Sequence, residues 1–232
     1  MSTILCIETS GKFCSVALVR DGLAEFSRED DREMNHARAI APFVDECMAE
    51  ARRREWRIDA VAVSMGPGSY TGLRIGLSVA KGLCFSLDVP LIGVSTLQLL
   101  AVKAMFRNFD WSGNEILVPM IDARRMEVYT AAYNFRLDAI IPPKPMILQE
   151  ECFNSLPDDR EVYFMGDGAE KSKSVLKGDR FHWIDNISPR AADMTALAEK
   201  AFREGVFLDT AYSVPEYLKE YDAKKSTVKG LS

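Results

Sequence analysis

Histidine is scarce in this sequence: His36 and His182 are the only two in 232 residues. No His-x-x-x-His pair occurs, so the helical spacing that stacks two imidazoles over one metal ion is missing. The five cysteines (Cys6, Cys14, Cys47, Cys84 and Cys152) are scattered through apolar patterns without a Cys-x-x-Cys pair. That excludes a zinc or redox knuckle and reads as reduced, buried thiols. No apolar run approaches the roughly eighteen residues of a membrane span. Basic charge in excess is also lacking. The net charge of −5 leaves no global field for nucleic acid, so any such contact must come from a local patch or a partner. Met1 to Ile7 runs straight into a strand pattern without the basic and apolar regions of a secretory signal, and a soluble, cytoplasmic protein is expected.

What is present is ample core-forming material, with 47% hydrophobic residues and 27% charged, enough for one large or two small cores. Ile4–Glu8 and Ser15–Arg20 are short apolar runs; the second is followed by Asp21-Gly22, a hairpin dipeptide, and a return strand over Leu23–Arg28. After the candidate cap Asn35, the residues Ile40, Val44, Cys47, Met48 and Ala51 recur at helical spacing. Ala60–Ser64 reads as a strand, then comes the loop Gly66-Pro67-Gly68-Ser69 and a helical pattern to about Leu87. A strand over Val89–Val94 and a helix capped by Ser95-Thr96 and running to about Phe106 follow. The period lapses over Asn108–Asn114, which divides residues 1–108 from 109–232.

The second half restarts in the same order. Strands are expected over Ile116–Asp122, Glu127–Asn134, Met146–Leu148 and Glu161–Met165, then a turn at Gly166-Asp167-Gly168 and a last helix over Ala192–Glu204 that can fold back on the first lobe. His182 and Trp183 fall in a stretch read as irregular, and the polar, lysine-rich end past Tyr221 is expected to fray. Strands with crossover helices, given twice, describe an α/β fold with mixed sheets.

The loop from Gly66 to Gly76 is the sharpest local feature. A glycine loop before a helix can offer amides to an anion, but its spacing matches neither the dinucleotide nor the phosphate-loop fingerprint, and Pro67 removes one donor. The other reading is close packing. Gly72, Gly76 and Ala80 lie four apart and form a smooth stripe, with Leu73, Leu77 and Leu83 beside it, and such a face is either core or an interface. Arg52, Arg53, Arg54 and Arg57 with Trp56 admit an RNA patch. Glu50 and Glu55 dilute it, and a helix C-terminus is a natural place for cations.

Ile7-Glu8-Thr9-Ser10, the glycine loop, the segment Asp122-Ala123-Arg124-Arg125-Met126-Glu127-Val128-Tyr129, and Pro215-Glu216-Tyr217-Leu218 together resemble the bacterial tRNA threonylcarbamoyladenosine biosynthesis family. Within it the match is to the small accessory subunit, an inactive glycoprotease homologue. The resemblance implies a duplicated, two-lobed actin/Hsp70-like ATPase fold and a non-catalytic scaffold. It also implies docking on a metal-containing catalytic paralogue, with a small ATPase as third component, and tRNA reading A-starting codons as the indirect substrate. Catalytic relatives carry two metal-binding histidines, four apart, where this chain has Thr96 and Leu100, so no metal centre of that type is expected. For the same reason a metalloprotease is not expected.

The partner surface implied is Ile40, Val44 and Cys47 of the first helix with Tyr70, Gly72, Leu73, Gly76, Leu77 and Ala80 of the second, and a homodimer through the same face when the partner is missing. An arginine at Gly76 or Ala80 is then expected to block docking while leaving the fold intact. Glu8, Ser10, Asp122, Arg124, Gly166 and Gly168 correspond to nucleotide-binding turns of the fold. The alternative reading is therefore a small ATPase or kinase acting through Glu8 and Asp122, with weak ATP or ADP binding.

Overall fold

The apolar runs of the sequence become the centres of two five-stranded sheets. The computed structural model describes residues 1–30, 32, 35–107 and 110–219. The lapse at 108–114 lies partly outside them, and the end past Tyr221 lies wholly outside. In the first sheet, β1 (Thr3–Glu8), β2 (Cys14–Arg20) and β3 (Leu23–Asp30) form an antiparallel meander, and β4 (Ala60–Gly66) and β5 (Leu91–Ser95) add in parallel, in the order β3-β2-β1-β4-β5. The β2–β3 hairpin turns on Asp21 and Gly22, both at positive φ (47° and 79°), the conformation that a two-residue hairpin demands and that Asp-Gly tolerates.

The second sheet repeats this plan. Its strands are β6 (Ile116–Asp122), β7 (Glu127–Tyr133), β8 (Ala139–Ile147), β9 (Val162–Met165) and β10 (Phe181–Ile184), in the order β10-β9-β6-β7-β8. β6 occupies the place of β1, and the antiparallel and parallel pairings recur in the same positions. The chain is thus a duplicated two-lobe α/β fold.

Two strands correct the sequence reading. β8 is far longer than Met146–Leu148, although Pro142, Pro143 and Pro145 lie within it; proline is tolerated there because β8 is an edge strand. The stretch around His182 is β10, which completes the repeat. His182 pairs with Glu161 and stacks on Tyr163, with ring centroids 4.8 Å apart.

Each sheet is covered by helices on alternating residues. Leu5, Ile7, Val61 and Val63 face α1 (His36–Arg53) and α2 (Tyr70–Leu87), whereas Ile4, Cys6, Ala60 and Ala62 face the other side. On that other side lie α3 (Thr96–Met105), a 3₁₀ turn (Ala191–Met194) and α5 (Thr195–Glu204), so the last helix packs on the first sheet. α3 is shared: Leu99 enters the first-sheet core, while Leu97, Leu100, Ala101 and Ala104 pack on Leu117, Ala131 and Met165 of the second. The short α4 (Ala169–Ser172), which the sequence reading missed, follows β9. Among the described residues no helix is long and apolar enough to cross a membrane.

Caps follow the same chemistry with different actors. Asn35 stands at the start of α1, yet its side chain donates to Asp30 Oδ2 at 2.6 Å and caps nothing. Ser95 likewise makes no side-chain cap. Ser69 does cap, its Oγ accepting from Gly72 N at 3.2 Å.

The small-residue stripe of α2 also needs correction as a docking face. Gly72, Gly76 and Ala80 are buried within the chain's own core with Leu73 and Leu77. A Cβ on Gly72 would lie 2.0 Å from Thr9 O, and one on Gly76 would lie 2.2 Å from Thr9 Oγ1. The stripe exists so that the turn after β1 can seat directly on α2. Ile40, Val44 and Cys47 of α1 are buried in the same core, so of the residues assigned to a partner only Tyr70 retains partial exposure.

Candidate functional site

Three turns at the same ends of the two sheets carry the chemistry-bearing residues. The first follows β1. Glu8 is completely buried; its Oε1 accepts from Ser10 N and Ser10 Oγ, each at 2.5 Å, while Oε2 has no hydrogen-bond partner. The turn is fastened to its surroundings at each residue. Thr9 Oγ1 donates to Gly72 O at 2.8 Å, Ser69 N donates to Ser10 O at 2.7 Å, and His36 Nε2 lies 3.1 Å from Gly11 O. His36 is therefore a structural tie to the β1–β2 turn.

Burial pushes the Glu8 carboxyl up to about 6, against the opposing pull of the Ser10 hydroxyl and amide and of the nearby Ser64 hydroxyl. The folded chain thus holds a proton there more tightly than the unfolded one. The stabilisation is fully present below about pH 4.5 and is lost as pH rises through about 6. The difference amounts to about 2 kcal/mol. Glu8→Gln is expected to flatten this part of the stability–pH profile. Denaturant unfolding at several pH values checks it, and a variant whose profile still falls between pH 4.5 and pH 6 would show that another group is responsible.

The second turn follows β6. Asp122 is exposed, with Oδ1 accepting from Arg124 N at 2.6 Å and from Lys171 Nζ at 2.8 Å. Lys171 also donates to Arg125 O and Glu127 O, so its ammonium fills the hollow of the turn. Partial desolvation raises the Asp122 carboxyl, but Lys171, the Arg124 amide and the charge of Lys12 outweigh it and the net shift is downward. Lys12, in the first turn, is therefore near enough to act on the second. Arg124 and Arg125 both adopt positive φ (72° and 49°), which carries their side chains out to solvent.

The third turn, Gly166-Asp167-Gly168, follows β9. Asp167 Oδ1 accepts from Asp122 N at 2.9 Å, and Gly168 N donates to Met120 O at 3.0 Å. Beside it a cavity of about 490 Å³ opens between Gly166, Asp167, Lys173, Trp183 and Asn186. The structure thus joins Asp122, Arg124, Gly166 and Gly168 in one constellation. Glu8 and Ser10 belong to another, turned into the first lobe. The sequence reading missed Lys171, which bonds across to the β6–β7 turn from a position 49 residues beyond Asp122.

Thr96 and Leu100 are both buried on α3, and a Cβ on Gly166 would fall 3.2 Å from Leu100 Cδ1. An isobutyl group in apolar contact and a lone hydroxyl do not fit a metal ion. Among the described residues no group of three His, Cys, Asp or Glu side chains is placed to hold an ion.

The arginine cluster is largely consumed internally. Arg53 and Arg54 pair with Glu50, Arg54 also reaches Glu25, and Trp56 lies between the guanidinium groups of Arg20 and Arg54, 4.5 and 4.6 Å from them. This is a helix end braced against β3. The five cysteines are all free, with Cys152 the one that is partly exposed.

Comparison with known proteins agrees with this geometry. The family described as tRNA N6-adenosine threonylcarbamoyltransferase, TsaD, matches residues 31–230. The tRNA threonylcarbamoyladenosine biosynthesis protein TsaB of Bacillus subtilis (strain 168) is 31% identical over 227 residues, covering 96% of both chains. The protein of the same name from Escherichia coli (strain K12) is 32% identical over 237 residues, again with 96% of each covered. The structure of YeaZ from Pseudomonas aeruginosa superposes with a TM-score of 0.76 at 30% identity, over 94% of this chain and 100% of that one.

Proposed function

The chain belongs to the TsaD family of tRNA threonylcarbamoyladenosine biosynthesis, in its TsaB/YeaZ-like branch, and from this we propose that it is a non-catalytic scaffold subunit of that pathway. The observation that carries the reading is α3. Where catalytic members of the family place a metal-gripping pair of imidazoles, this chain buries Thr96 and Leu100 between two sheets. Its contribution then comes through surface, by binding the metal-containing paralogue that performs the transfer, with the small ATPase of the pathway joining the pair. tRNA is engaged through that partner, since the net charge of −5 supplies no broad basic face.

The surface that suits this role is the outer side of α1 and α2, opposite the buried stripe. On α1 it carries Ala41, Pro42, Asp45 and Ala49, and on α2 Ser78, Gly82 and Phe85, all exposed. Ile75, Val79 and Leu83 border it, partly buried. A pair of adjacent helices with small and apolar outward residues accepts two helices of a related fold, and a second copy takes that place when the paralogue is missing.

Gly82 is the position from which to test it, because a Cβ there meets no atom within 4 Å. Gly82→Arg and Ala49→Arg are expected to fold with a melting temperature no lower than wild type and to lose co-purification with the catalytic paralogue. Retained binding by both variants would remove this face from consideration.

One observation favours a second reading, a small ATPase or kinase. The cavity beside Gly166 and Trp183 is of nucleoside size, and weak ATP or ADP binding there is compatible with the scaffold role. Turnover is less well supported, because Glu8 is sealed inside the first lobe and Asp122 is neutralised by Lys171. Calorimetry with ATP and magnesium separates the two: micromolar binding accompanied by hydrolysis would favour the enzyme.

A further inference from the structure

After α5, which packs on the first sheet, the chain continues along the first lobe. Leu208 N donates to Leu91 O at 2.8 Å along the β5 edge, and Lys81 Nζ of α2 holds Ala211 O at 3.0 Å. The segment then reaches the glycine loop. Pro215 is buried, and Glu216 N donates to Met65 O at 2.7 Å. A Cβ on Gly66 would lie 2.8 Å from Glu216 O, so the two backbones are in direct contact. Tyr217 packs in a tilted arrangement on Tyr70 with centroids 5.1 Å apart, and its Oη accepts from Arg74 Nε at 2.9 Å. The Arg74 guanidinium lies 4.0 Å over the Tyr70 ring, which fixes the arginine between two aromatics. Lys219 Nζ then reaches both carboxylate oxygens of Glu127, at 3.1 and 3.0 Å, in the second lobe.

We propose that residues 215–219 are a clasp that sets the opening between the two lobes at the mouth of their paired turns. Its first end grips the glycine loop, which is bonded to the β1 turn through Ser69 and Ser10. Its second end grips Glu127, whose carbonyl is held by Lys171 together with Asp122. From Glu216 to Lys219 an extended chain spans at most about 11 Å. The two turns therefore cannot part widely unless one end lets go.

The ends are unequal by construction. Backbone hydrogen bonding, a buried proline and a packed tyrosine hold the first. The Lys219–Glu127 ion pair, half-exposed on the lysine side and weakened by salt, reaches the second. The clasp is thus hinged on the first lobe and released from the second.

Hydrogen exchange on the full chain, read by peptide mass spectrometry, tests this. Lys219→Ala is expected to raise exchange about fivefold in peptides covering 9–12 and 122–127 while leaving 65–70 protected. About 0.5 M salt is expected to do the same to the wild type. The charge swap Lys219→Glu with Glu127→Lys is expected to restore protection. Unchanged exchange of both turns in Lys219→Ala would overturn the clasp. So would loss of protection spread over the whole chain, or loss that the swap does not restore. The measurement needs no partner, so it stands or falls independently of the scaffold reading.

Discussion

Gly76→Arg is expected to give no folded protein, whereas Gly82→Ala, two turns further along the same helix, is expected to gain stability. At Gly76 the first side-chain carbon would already stand 2.2 Å from Thr9 Oγ1, far inside the van der Waals contact distance of a carbon and an oxygen. The rest of an arginine would have to displace the turn after β1, which carries the buried Glu8 and its bonds to Ser10. Overpacking together with a buried, unpaired guanidinium costs about 5 kcal/mol, comparable with the whole stability of many domains. At Gly82 nothing lies within 4 Å, so a methyl group there brings only the gain of about 1 kcal/mol that alanine has over glycine inside a helix. Soluble expression and thermal denaturation of the two variants check the contrast. A well-folded Gly76→Arg would mean that the stripe faces outward after all.

Leu100→Ala is expected to cost about 3 kcal/mol, lowering Tm by about 9 °C in a chain of this size. Leu100 is 1% exposed and sits where α3, Met165 and the Gly166 turn converge, so the space it leaves cannot collapse from one side alone. Leu100→His is expected to cost more, since an imidazole there finds apolar neighbours. Thermal and denaturant unfolding measure both. A loss below about 1 kcal/mol for the alanine variant would show that the second sheet adjusts freely against α3, which is incompatible with a rigid shared helix.

The strands differ in how plainly the sequence writes them. β1, β4 and β6 were legible because strands buried on both faces are written as unbroken apolar runs. The duplication was legible as a recurrence of element order. β10 was not, because Phe181, His182 and Trp183 are each only partly buried and leave no apolar run. Most of β8 is hidden in the sequence, since three prolines argue against a strand unless its place at an edge is known. The stripe Gly72, Gly76 and Ala80 was visible, but not its direction. A helix face without side chains permits close approach by any neighbour, and periodicity does not say whether that neighbour is another helix or the chain's own Thr9. Glu8 and Asp122 were visible as strand-ending acids. Their different fates depend on Lys171 and on burial, and neither is encoded within a few residues of them.

The prolines of β8 bear on how copies of this chain can meet. An unpaired sheet rim is ordinarily a template on which another molecule lays its own backbone, the first step toward fibrous aggregates. Along this rim Pro142, Pro143 and Pro145 have no amide hydrogen to share, and Lys144 between them adds a charge that repels its own kind. Growth by backbone annexation is therefore disfavoured on that side.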